Sequence, residues 1–196
     1  MSYTVIGPTV TRTFRVLWML EELEQSYDHL PHAPRSEAIQ ALNPAGKVPV
    51  LLDDDAALTD STAIIQYLAD KHGALTYRAG TLDRARQDGF THFILDEMDA
   101  TLWTAARHTF VLPEEKRVPE VKQSLKWEFA RAVDELMRRK SDAPFLMGET
   151  MTVPDIIATH CGSWAIAAGF PLENTAFRAY AKPLRGRAAY LRASGA

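Results

Sequence analysis

A single cysteine, Cys161, stands among the 196 residues, so the chain can form no internal disulfide, and no CxxC or Cys/His metal-ligand spacing can be built around it. Basic charge is scarce too: 22 Lys and Arg face 25 Asp and Glu, a net charge of −3. Without a cationic excess to displace counterions, nucleic acid is excluded as the main partner. No apolar run approaches the roughly 20 residues that a membrane span needs. The opening stretch, Met1-Ser2-Tyr3-Thr4-Val5-Ile6-Gly7-Pro8, has neither the basic region nor the apolar core of a secretory leader. These absences predict a cytoplasmic chain in a reducing compartment, with no membrane partner and no metal. What is present is apolar content of 46%, enough to bury a core without staples, in one large domain or two small ones.

The two halves differ in texture. Through about His72, strand-like and helix-like segments alternate: Tyr3 to Ile6, Thr13 to Leu23, Tyr27 to Leu30, Glu37 to Leu42, Val48 to Leu52, Ala57 to Thr59 and Thr62 to His72. A βαβ order followed by a hairpin and a helix predicts a small α/β domain with a mixed sheet. Asp53-Asp54-Asp55 reads as a solvated hairpin turn, since a turn tip offers no convergent cage for a metal. Gly73 to Gly80 reads as a linker, and beyond it the pattern is helical throughout. Phe90, Phe93, Ile94, Met98 and Leu102 recur at three- and four-residue steps, as do Leu125, Phe129, Ala132, Val133, Leu136 and Met137, with Pro113 and Pro119 between the two runs. Thr152 to about Ala168 is apolar on nearly every face and predicts a buried central helix, started by Thr152 as N-cap with Asp155 three residues on.

Chemistry concentrates in the first half. The first helix carries Arg12 and Arg15 at its start and Glu21, Glu22 and Glu24 at its end, the reverse of what the helix dipole prefers. Free amides and two guanidiniums at a helix start suit an anion; equally, the arginines can pair with acids elsewhere in the fold. Thr9-Val10-Thr11 joins the first strand to that helix, where Thr11 or Thr13 serves as N-cap and a hydroxyl is available for catalysis. In Asn43-Pro44-Ala45-Gly46-Lys47-Val48-Pro49, a proline at the mouth of an apolar strand leaves the ladder open, so that Val48 can pair with an extended peptide ligand. Asp60-Ser61 precedes the third helix; one of the two suffices as N-cap, and the other is left to receive a charged group.

Four segments together resemble the glutathione transferases along the whole chain: Thr11-Arg12-Thr13-Phe14-Arg15-Val16-Leu17-Trp18-Met19-Leu20-Glu21-Glu22-Leu23, Asn43 to Pro49, Asp60-Ser61-Thr62-Ala63-Ile64-Ile65-Gln66-Tyr67-Leu68, and Thr152-Val153-Pro154-Asp155-Ile156. The resemblance is to the cytosolic superfamily, bacterial in type, and nearest the serine-type theta- and phi-like classes. It implies an α/β plus all-α architecture: a thioredoxin-like βαβαββα domain over residues 1–75 that binds glutathione, and an all-helical bundle over 81–196, usually as a homodimer. It further implies that Val48 pairs its backbone with the cysteinyl part of glutathione ahead of a cis Pro49, that Asp60 and Ser61 hold the γ-glutamyl end, and that Lys47 lies near the glycyl end. The serine-type classes place their catalytic hydroxyl four residues before an arginine. Thr11 and Arg15 have that spacing, so Thr11, with Arg12 beside it, takes the place of the usual serine. The implied activity is detoxifying transfer of the glutathione thiol to an apolar electrophile, or to a peroxide; the alternative is a non-catalytic binding protein of the same fold. Trp103, Arg107, His108 and Phe110 are candidate wall residues for the second substrate, though such aromatics also serve as core. The short tail ending Leu191-Arg192-Ala193-Ser194-Gly195-Ala196 leaves little chain for a lid and predicts an open second-substrate site.

Overall fold

The computed structural model describes residues 3–195; Met1 and Ser2 of the opening stretch and Ala196 of the tail lie outside the described residues. The chain divides into two compact units, one running to Arg78 and resuming at Arg185, the other spanning Ala79–Leu184.

The first unit follows the order βαβαββα: β1 (Tyr3–Ile6), α1 (Thr13–Glu22), β2 (Tyr27–Leu30), α2 (Glu37–Leu42), β3 (Val50–Asp53), β4 (Ala56–Thr59) and α3 (Ser61–His72). The sheet order is β2-β1-β3-β4. β1 runs parallel to β2, with Tyr3 opposite Tyr27, and antiparallel to β3, with Ile6 opposite Val50. This is the thioredoxin-like arrangement. β1 is central and carries buried Tyr3, Val5 and Ile6, whereas β2 at one edge alternates between half-buried and exposed residues. β3 starts at Val50 and not at Val48, because Pro49 has no amide to give the ladder.

The acidic turn is smaller than its sequence suggests. Asp54 and Asp55 form it, while Asp53 is the last residue of β3 and is buried. Its carboxylate accepts from the Tyr67 hydroxyl and the Lys71 ammonium, each at 2.5 Å. Those two donors, Lys71 first, hold the Asp53 carboxyl below its usual range.

Every residue from Thr13 to Leu20 of α1 is buried. The acids at its C-terminal end, which oppose the dipole, are neutralised from the chain's last helix, α9 (Ala188–Ser194). Arg187 grips Glu22 through two bonds of 2.6 and 2.7 Å, and Arg192 reaches Glu21 at 2.5 Å. Trp18 and Tyr27 donate to the same two carboxylates, at 2.8 and 2.9 Å. The Tyr190 ring packs edge-on against Phe14 and Trp18, both at 4.9 Å between centroids, each pair contributing about 0.5–1.5 kcal/mol beyond area burial. These contacts group Arg185 onward with the first unit, whereas sequence texture carries the whole of 81–196 with the helices. Texture cannot distinguish a helix that joins a bundle from one that closes on an earlier domain.

In the second unit, α4 (Leu82–Phe93) continues through a wide π-type turn (Ile94–Asp99) into α5 (Ala100–Ala106), and a second such turn (Arg107–Val111) ends it. α6 (Val121–Arg139), α7 (Val153–Ala167) and α8 (Thr175–Arg185) follow. The periodic apolar positions Ile94, Met98, Leu102, Leu125, Phe129, Ala132, Val133 and Leu136 are buried as their spacing predicts. α7 is the buried central helix. At its start Asp155 is fully buried and accepts four hydrogen bonds: from the Thr152 amide and hydroxyl at 2.8 and 3.2 Å, the Leu146 amide at 2.9 Å and the Tyr180 hydroxyl at 2.7 Å. One side chain thereby ties the helix start to the preceding loop and to α8. Among the described residues, no helix is long and apolar enough to cross a membrane.

Removing the Asp155 side chain strands four donors in the interior. Asp155→Ala is expected to lower the unfolding free energy by about 3 kcal/mol or more, and Tyr180→Phe by about 1 kcal/mol, in urea titrations. Asp53 sets a pH dependence. Because its folded pKa is depressed, its contribution is complete above the unfolded-state value near 3.9 and is lost as pH falls through the folded value. Unfolding midpoints measured from pH 6 downward are expected to fall below about pH 4, and Asp53→Asn to flatten that decline.

Candidate active site

The site grows from the end of β1. Gly7 has φ 136°, and a Cβ there would stand 2.3 Å from the Thr13 hydroxyl oxygen and 2.8 Å from the Val48 Cβ. Only glycine lets the start of α1 and the mouth of β3 close on this point. The peptide is pinned from the other side as well: the Gly7 amide donates to the Leu30 carbonyl at 2.9 Å, and the His29 Nε2 lies 2.8 Å from the Gly7 carbonyl oxygen.

Residues 8–12 wind directly into α1. The Thr11 amide donates to the Pro8 carbonyl, and the Phe14 and Arg15 amides to those of Thr11 and Arg12, all at 3.1 Å. This corrects the expectation that Thr11 or Thr13 is the N-cap. Arg12 occupies that position, already in helical conformation and with no side-chain cap. The hydroxyls serve one another: Thr11 Oγ1 donates to the Pro8 carbonyl at 2.7 Å, lies 2.9 Å from Thr13 Oγ1, and accepts from the Thr13 amide at 3.2 Å. Thr11 and Arg12 are half-buried, and Thr13 is completely buried.

The second wall is the turn before β3. Asn43 shapes it, donating to the Lys47 carbonyl at 2.9 Å and accepting from the Ala45 amide at 3.2 Å. The Val48–Pro49 bond is cis. Among the described residues, the Val48 amide and carbonyl make no hydrogen bond to another backbone group. Val48 is half-buried, Pro49 buried and Lys47 exposed.

The third wall is the start of α3. Asp60 caps it, accepting from the Thr62 and Ala63 amides at 2.9 and 3.0 Å, with its own backbone at φ 71°. A non-glycine residue at positive φ costs of order 1–3 kcal/mol and persists where the surroundings hold it. Ser61, released from capping, is buried, and Arg15 donates to its hydroxyl at 3.4 Å. Arg15 is itself fully buried, so it bridges the starts of α1 and α3 from within.

Thr11, Arg12, Lys47, Val48, Pro49, Asp60 and Ser61 thus all belong to the first unit, around the Gly7 contact and the Arg15 bridge. The sequence did not single out Gly7, and it treated Thr13 as an alternative cap. The available signal was a glycine directly after a strand and before a hydroxyl-rich turn. Trp103, Arg107, His108 and Phe110 belong to the second unit. Trp103 is half-buried, Arg107 donates to the Thr104 hydroxyl at 2.9 Å, His108 Nδ1 accepts from the Val118 amide at 3.0 Å, and Phe110 is 68% exposed. Cys161 is buried on α7, its sulfur 3.9 Å from an Asp99 carboxylate oxygen, so it offers no accessible thiol.

Comparison with known proteins places this geometry. The family described as glutathione S-transferase, N-terminal domain, matches residues 12–76. Elongation factor 1-gamma of Trypanosoma cruzi is 26% identical over 131 residues, covering 66% of this chain and 30% of that protein. Glutathione S-transferase theta-2 of Rattus norvegicus is 31% identical over 132 residues, covering 63% of this chain and 52% of that one. The chain spans about a third to just under two thirds of the length of such curated relatives. Among solved structures, the ternary complex of BphK, a bacterial glutathione transferase, superposes with a TM-score of 0.86 at 23% identity, covering 98% of this chain and all of that one.

Gly7→Ala is expected to lose about 2–4 kcal/mol in chemical denaturation, combining the overpacking of Thr13 and Val48 with backbone strain. Gly80→Ala, also at positive φ but with nothing within 4 Å of the added Cβ, carries strain alone and is expected to lose about 1 kcal/mol.

Proposed function

Since the chain belongs to the cytosolic glutathione transferase superfamily, we propose that it binds glutathione at the Val48, Asp60 and Ser61 walls and activates the thiol beside Thr11 for attack on an apolar electrophile. The observation that carries this reading is the unpaired Val48 backbone at the mouth of β3. An extended peptide that docks there gains a donor and an acceptor in register, the logic of strand addition. The γ-glutamyl end then meets Asp60 and Ser61, Lys47 lies toward the glycyl carboxylate, and Arg12 adds positive charge at the start of α1.

A free thiol with pKa about 8.5 is only about 3% thiolate at pH 7. A hydroxyl bond to a charged acceptor contributes about 1.5–3 kcal/mol and the helix start about 0.3–1 kcal/mol. Thr11 must first give up its bond to the Pro8 carbonyl, which costs about 1 kcal/mol. The balance, about 1–3 kcal/mol, lowers the bound thiol by about 1–2 pKa units, to near neutrality. The thiolate sulfur then forms a bond to an electrophilic carbon as the leaving group departs, or attacks a peroxide oxygen. The second substrate rests on the helical unit, for which Trp103, Arg107, His108 and Phe110 are the candidate wall. The reading includes a homodimer working in the cytoplasm in detoxification, in a theta- or phi-like class, as the resemblance implies.

Thiolate absorbance of the bound glutathione, titrated against pH, is expected to give a pKa about 1–2 units below free glutathione. Thr11→Ser is expected to keep that value, and Thr11→Val to return it to within about half a unit of the free thiol. Binding of glutathione with no change in its thiol pKa would favour the non-catalytic alternative.

A further inference from the structure

We propose that Thr13 is a positioning residue for the Thr11 hydroxyl: it fills the lone pairs of Thr11, so that Thr11 meets a bound thiolate as a hydrogen-bond donor and never as a base. The inference rests on the reading of Thr11 as the group that faces the thiol.

The direction of the hydroxyl pair follows from counting hydrogens. A threonine hydroxyl has one hydrogen and two acceptor positions. Thr11 sends its hydrogen to the Pro8 carbonyl at 2.7 Å, so the 2.9 Å contact between the two hydroxyls is Thr13 donating to Thr11. The Thr13 amide donates to the same oxygen at 3.2 Å. Both acceptor positions of Thr11 are therefore taken by one residue, leaving its single hydrogen as the only group it can offer a ligand. That hydrogen reaches a sulfur anion when it turns away from Pro8. Two donors on the oxygen also polarise the O–H bond and strengthen it as a donor.

Thr13 is well placed to hold this arrangement. It is completely buried at the first position of α1, and its oxygen occupies the space that a side chain at Gly7 would take, 2.3 Å from the ideal Cβ. A helical threonine has two favoured χ1 wells and commonly turns its hydroxyl to a carbonyl three or four residues back. Here the hydroxyl is aimed at a side chain two residues back, on the turn that carries the proposed site. Proton removal from the thiol is then a task for solvent or for another group, and Thr11 stabilises the product of that step.

The test measures the pKa of glutathione bound to the whole protein, by thiolate absorbance, with affinity from calorimetry and folding from circular dichroism. Thr13→Val, close to isosteric, is expected to raise the bound thiol pKa by about half a unit or more with affinity within about twofold of wild type, and Thr13→Ser to restore the wild-type pKa. Should valine disturb folding, Thr13→Ala serves the same comparison in a less crowded site. If Thr11→Val shifts the pKa but neither Thr13→Val nor Thr13→Ala does, Thr13 has no such role while the parent reading stands. Should wild type fail to bind glutathione or leave its thiol pKa unchanged, the parent reading falls and this one with it.

Discussion

A missing side chain organises the first unit. At Gly7 the start of α1 and the mouth of β3 approach so closely that a methyl group would overlap both Thr13 and Val48. The catalytic turn and the peptide-binding edge come from segments some 40 residues apart in sequence, and this contact sets the distance between them. The third wall joins through Arg15, which reaches from inside α1 to Ser61 at the start of α3. A site assembled on strand ends and helix starts is held by rigid backbone, with loops supplying only short connections.

The inverted charge order of α1 has its explanation in α9. Glu21 and Glu22 sit where the dipole disfavours them because arginines of the last helix close on them, and the aromatic contacts of Tyr190 with Phe14 and Trp18 fill the space between. The two arginines at the start have a different role. Arg15 is buried as a bridge, and Arg12 caps by backbone position alone. Charges that look like an error of helix design are contacts to chain elements far away in sequence.

The strands and helices of the first unit were legible to within a residue or two, because their apolar periods switch cleanly between two and 3.6. The capping logic at Thr152 and Asp155 was legible for the same local reason, although its ties to Leu146 and Tyr180 were not. Boundaries moved where a tertiary partner intervened. Asp53 left the turn for the strand because Tyr67 and Lys71 receive it, and Arg12, not a threonine, took the N-cap because the preceding turn was already wound.

By itself the sequence determined the order of elements, the division into a mixed-sheet unit and a helical one, and the segments where a ligand would meet polar groups. Those depend on hydrophobic period, on proline and glycine placement and on N-cap chemistry, all of which act within a few residues. Only the tertiary structure decided which hydroxyl donates to which, which charges are buried, and that the last helix closes on the first. Such facts depend on distances between segments remote in sequence, and a single unoccupied Cβ position at Gly7 sets several of them at once.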